Sequence, residues 1–81
     1  MDNLNKLRDL FVEVFLISPE EFRTDLRNTD IDTWDSLGIV SLAVGIEETF
    51  GYHPKPEEAV AILSVSDVIT LLQSKGIDFG K

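Results

Sequence analysis

Apolar side chains near the start of the chain fall at Leu4, Leu7, Phe11 and Val14, with Leu10 and Phe15 beside them. Steps of three and four predict an amphipathic helix over about residues 2–15 that buries this stripe. Periodicity then lapses over residues 16–35, where Ser18-Pro19-Glu20-Glu21 has the cap serine, first-position proline and third-position glutamate of a helix start and predicts a single turn. A second helix is expected from Asp35 or Ser36, either of which can cap, to about Phe50, where Gly51 terminates it. Leu42, Ile46 and Phe50 form its core stripe, while Gly38 and Gly45 each weaken it by roughly 1 kcal/mol, so packing has to hold it together. Pro54 and Pro56 make residues 52–56 a loop. A short helix follows over 57–62, with Glu57 and Glu58 at the favourable end of its dipole. Ser64, with Asp67 three residues on, caps a last helix that buries Val65, Val68, Ile69 and Leu72 and stops at Gly76. No segment alternates as a strand, so the expected fold is all-α: a small antiparallel four-helix bundle of three main helices plus a short third helix.

The chain has 81 residues, which fits one domain over 1–81 with a tail over about 76–81 and leaves little room for a large enclosed active site. Without cysteine there is no disulfide, thiolate metal site or cysteine nucleophile. Asp2, Lys6, Arg8, Asp9 and Glu13 interrupt the amino terminus, so it does not read as a signal peptide. No apolar run is long enough to span a membrane, which makes a cytoplasmic location without membrane insertion the expectation. The formal net charge of −8 argues against nucleic acid as a partner. That charge is concentrated between Asn28 and Ser74, where Asp30, Asp32, Asp35, Glu47, Glu48, Glu57, Glu58 and Asp67 face Lys55 as the only base. Such a field attracts proteins with basic docking patches and speeds encounter.

Ser36 stands between Asp35 and Leu37 where a long loop meets a helix. A hydroxyl there is accessible, and a phosphate joined to it would lie near unpaired amides and the positive end of the helix dipole. The plainer role of such a serine is to cap the helix.

The run Asp35-Ser36-Leu37, followed by Val40, Leu42, Ile46, Glu47, Glu48 and Phe50, resembles the acyl carrier protein family, in which a DSL tripeptide opens an acidic amphipathic helix. Glu57-Glu58-Ala59, Ile62, Val65 and the last apolar stripe extend the resemblance over nearly the whole chain. It implies a carrier rather than an enzyme. Ser36 would bear 4′-phosphopantetheine installed from coenzyme A by a phosphopantetheinyl transferase, and Asp35 would help hold that transferase's magnesium, so that no metal need bind the free domain. The arm would carry acyl groups as thioesters in fatty-acid, polyketide or specialised acyl metabolism. It also implies a monomer whose second helix docks partner synthases, acyltransferases, reductases or acyl ligases through Leu37, Val40, Val44, Glu47 and Glu48. Sequence alone leaves Leu37, Val40 and Val44 equally open to a core role.

Two departures from the family pattern stand out. Gly38 and Ser41 occur where many members have acids, and Pro54-Lys55-Pro56 replaces an Ile-Pro pair. The missing carboxylates predict a less charged, more mobile start to the docking helix and a specialised set of partner enzymes. The main alternative function is an acidic helical adaptor that is never modified. A hydrolase built on Ser36, Asp35 and His53 is disfavoured, since there is no G-x-S-x-G elbow and His53 lies beside prolines in a loop. Trp34 reads as a packing residue.

Overall fold

The computed structural model describes residues 2–79. It contains four α-helices, α1 (Asn3–Phe15), α2 (Ser36–Phe50), α3 (Pro56–Val60) and α4 (Val65–Ser74), with short 3-10 turns at Pro19–Glu21 and Asn28–Asp30. Among the described residues there is no strand, only an isolated bridge between Arg27 and Ser64. The expected all-α four-helix fold is the observed one.

Local chemistry sets the helix boundaries. Asp2 accepts from the Asn5 N–H at 2.8 Å and starts α1, and Ser64 accepts from the Asp67 N–H at 3.1 Å and starts α4. Pro56 occupies the first position of α3, so that helix begins one residue before the expected 57 and ends at Val60 rather than 62. At Pro19–Glu21 only the glutamate half of the capping pattern forms, with the Ser18 N–H donating to Glu21 at 2.8 Å. Leu16 ends α1 in the left-handed region, at φ 60°, where a residue with a Cβ costs roughly 1–2 kcal/mol relative to the right-handed form.

Leu7, Leu10, Phe11 and Phe15 of α1 are buried, whereas Leu4 and Val14 are only half-buried, so the core stripe is turned toward what was expected to be its flank. Leu42 and Ile46 from α2 and Val65, Val68 and Leu72 from α4 meet it. The long connection also feeds the core. Leu26, Ile31 and Trp34 are buried from it, and Trp34 stacks on Phe15 with ring centroids 4.9 Å apart. Backbone bonds from the Asn28 N–H to the Leu63 carbonyl (2.8 Å) and from the Val65 N–H to the Leu26 carbonyl (3.0 Å) fasten this connection to the start of α4.

The segment after Gly76 is not a loose tail as far as Phe79. Ile77 and Phe79 pack on the core, and the Asn3 side chain donates to the Asp78 carbonyl at 2.7 Å. Gly80 and Lys81, the rest of the expected tail, lie outside the described residues.

The two glycines of α2 mark where other segments approach it closely. A Cβ at Gly38 would lie 2.7 Å from the Thr33 carbonyl oxygen and 2.9 Å from Cε1 of Phe15, and one at Gly45 would overlap Cδ1 of Leu10. Their cost in helix propensity is therefore tied to a close seam between α1 and α2.

Candidate functional site

Asp35 and Ser36 divide the two roles that sequence reading left open between them. The Asp35 carboxylate is the cap, accepting from the Gly38 N–H at 2.9 Å. Ser36 is the first residue of α2, exposed, and its hydroxyl has no hydrogen-bond partner among the described residues. The Ser36 and Leu37 N–H groups, at the open end of the helix, likewise have no acceptor among the described residues. The result is an accessible nucleophilic oxygen in a field that favours negative charge.

A groove of about 390 Å³ runs between α2 and α3. Ile39, Val40, Ala43 and Val44 line one side, and Pro54, Pro56, Ala59 and Val60 the other. Ser36 and His53 are its polar lining residues. Any group tethered to the Ser36 oxygen thus begins beside a predominantly apolar trough.

The apolar residues that the resemblance assigns to docking lie outside the core: Leu37 is 75%, Val40 59% and Val44 44% exposed. Val40 and Val44 also border a shallower hollow on the α1 side, with Leu10, Glu13, Val14, Ser41, Gly45, Glu48 and Thr49, so they form a ridge between two depressions. Glu47 and Glu48 are exposed, but Glu47 is held by His53, whose Nδ1 lies 2.9 Å from its carboxylate. With His53 on Glu47 and Asp35 on Gly38, no hydrogen bond links Ser36 to either, and a Ser-His-Asp relay does not form. No cluster of three or more potential metal ligands occurs among the described residues.

Sequence reading missed two features. One is the engagement of His53, for which six residues of loop-crossing separation give no local signal. The other is the role of Gly38. Its missing carboxylate follows from the Thr33 carbonyl and Phe15 ring that fill the space, so Gly38 carries no information about partner enzymes.

Behind the groove, the Tyr52 hydroxyl donates to Glu58, and Lys75 Nζ lies 3.6 Å from Glu58 and 5.1 Å from the centre of the Tyr52 ring. The Tyr52 bond, helped by the Lys55 N–H, holds the Glu58 carboxyl below its usual range, and the same bond pushes the Tyr52 hydroxyl up. Lys75 is raised by attraction to Tyr52 and Glu58. The trio ties the loop before α3, α3 itself and the end of α4 together.

No protein-family model matches the chain. Among curated proteins it is similar to the acyl carrier protein of Campylobacter hominis, 30% identical over 74 residues that cover 91% of this chain and 94% of that one. The acyl carrier protein of Bdellovibrio bacteriovorus is 32% identical over 88% of this chain and 91% of its own. Acyl carrier protein 2 of Ralstonia nicotianae is 34% identical over 88% of each.

Proposed function

The chain belongs to the acyl carrier protein family, whose members are carriers and not themselves enzymes, and on that footing we propose that it bears a 4′-phosphopantetheine arm on Ser36. The observation that carries this reading is the division of labour at the start of α2: Asp35 caps the helix, which leaves the Ser36 hydroxyl exposed and unbonded. When bound, the arm supplies the thiol that a sequence without cysteine lacks, and with it thioester chemistry.

Each residue then has a defined task. Ser36 offers its oxygen to the phosphorus of coenzyme A, giving up its proton as the phosphodiester forms and adenosine 3′,5′-bisphosphate leaves. The free N–H groups of Ser36 and Leu37 and the helix dipole favour the phosphate once it is attached. Asp35 keeps one carboxylate oxygen on Gly38 and leaves the other for the transferase's magnesium. The groove between α2 and α3 shelters an apolar cargo from water. Leu37, Val40 and Val44 supply apolar docking area, Glu48 a free charge, and Glu47 a charge shared with His53. Synthases, acyltransferases, reductases or acyl ligases use this surface, and the chain works as one monomeric cytoplasmic domain; among the described residues no helix is long and apolar enough to cross a membrane.

Incubation of the apo protein with coenzyme A and a phosphopantetheinyl transferase tests the proposal by intact mass. The wild type should gain one phosphopantetheine and Ser36→Ala none, with helicity retained. A wild type that gains nothing is an unmodified adaptor, and an arm found on Ser41 or Ser64 overturns the assignment of Ser36.

A further inference from the structure

The groove between α2 and α3 is polar at two places that lie far apart. Eight apolar residues make up the rest of its lining, and the exceptions are Ser36 and His53. Ser36 opens α2, whereas His53 is bonded to Glu47, eleven residues further on and about 16 Å along the helix axis. A chain held at Ser36 and laid along the groove therefore passes apolar walls and ends beside an imidazole.

That ring is held in a defined arrangement. Its Nδ1 lies 2.9 Å from the Glu47 carboxylate, and Glu47 is not part of the groove lining. In the neutral ring the proton sits on Nδ1, facing that carboxylate, which leaves Nε2 as an acceptor. Nε2 has no hydrogen-bond partner among the described residues. The neighbours of His53 fix the backbone that carries it: Tyr52 donates to Glu58, and Pro54 is fully buried. With a side chain 59% exposed, His53 stands at the mouth of the groove rather than on its floor.

Resting on the reading of Ser36 given above, we propose that the groove takes an acyl chain with a hydroxyl at its far end, and that His53 Nε2 accepts from that hydroxyl. The walls select an apolar chain, and the acceptor selects what ends it. A carboxylate there would meet the Glu47 charge in a protein of net charge −8, with no cation on the lining to receive it. An ammonium would have to shed its hydration to cross an apolar groove, at far greater cost than a hydroxyl. A hydroxyl supplies the proton that Nε2 lacks and stays partly hydrated at the mouth.

Transfer of acyl-phosphopantetheine from acyl-coenzyme A by the transferase gives carriers loaded with saturated chains from octanoyl to dodecanoyl, each with and without a terminal hydroxyl. Both readouts are taken at about pH 8, above the range where imidazole ordinarily carries a proton. By imidazole nitrogen NMR of the wild type, the His53 Nε2 resonance should move when a terminally hydroxylated chain replaces the plain one of equal length, and 3-hydroxyoctanoyl should leave it in place. By thioester hydrolysis, a terminal hydroxyl should leave protection near that of the plain chain in the wild type, and should cost roughly three- to tenfold of it in His53→Leu, where no acceptor remains. Comparing the two chains within each protein cancels any effect of the substitution on the fold, and if the variant does not fold the wild-type NMR decides alone. An Nε2 resonance indifferent to every terminal hydroxyl overturns the inference, as does an equal hydroxyl penalty in the two proteins or movement with 3-hydroxyoctanoyl alone. In each of those cases a chain loaded at Ser36 leaves the carrier reading intact. A wild type that accepts no arm overturns both readings.

Discussion

The two sides of α2 are built on opposite rules. Toward α1 and the preceding loop, two glycines let neighbouring atoms approach so closely that a single added methyl would collide. Toward α3, valines, alanine and prolines leave a groove of about 390 Å³. Close packing resists deformation, and an open apolar trough admits a guest. One helix therefore forms the closely packed wall of a seam on one side and the wall of an open groove on the other.

The contrast is tested most severely by truncation. Ile46→Ala, on the inner face, should cost roughly 2–5 kcal/mol in urea unfolding, whereas Val40→Ala, on the outer ridge, should fall within about 0.5 kcal/mol of wild type. Equal losses would erase the distinction between the sides. A smaller effect is expected from Gly38→Ala, which presses a methyl against a backbone carbonyl and an aromatic ring and should cost about 1–3 kcal/mol. Gly45→Ala meets only the flexible tip of Leu10 and gains helix propensity, so its melting temperature should fall less. Ala43→Phe addresses the groove: it should leave melting nearly unchanged while making a long-chain thioester on the arm hydrolyse faster than in wild type, because cargo is displaced into water.

The smallest effect belongs to Glu58. Because its folded pKa is lowered by Tyr52, the Lys55 N–H and Lys75, its stabilisation is complete above the ordinary value of 4.5 and is lost as pH falls through the lowered one. Glu58→Gln should therefore be less stable than wild type at about pH 6, with the gap narrowing as pH falls below 4.5, measured by urea midpoints.

The elements that sequence revealed are those governed by neighbours along the chain. Asp2, Ser64 and Gly51 fix helix ends through bonds three or four residues long, and α1, α2 and α4 fall close to their expected limits. The carrier motif was legible for the same reason. Less was legible wherever distant segments decide the outcome. Leu26, Ile31 and Trp34 follow no period, yet the core takes them in. Val40 and Val44 have the spacing of core residues and lie outside it, because the side of α2 they occupy faces no helix closely enough to cover them. Gly38 read as a weak point in a helix, and its reason sits on Phe15 and Thr33.

The two backbone bonds between the long connection and the start of α4 have a kinetic meaning. They close a ring of chain from Leu26 to Val65 that contains Ser36, the groove and the docking ridge, with α1 and most of α4 outside it. Opening that clasp together with the Lys75 contacts to Glu58 and Tyr52 would free α2 and α3 from the α4 side, without requiring α1 to detach from α2. The amide protons of Asn28 and Val65 are its reporters. If their hydrogen exchange speeds up in step with that of α3 while the interior of α1 stays protected, the half of the molecule that contains Ser36 breathes as one cooperative unit.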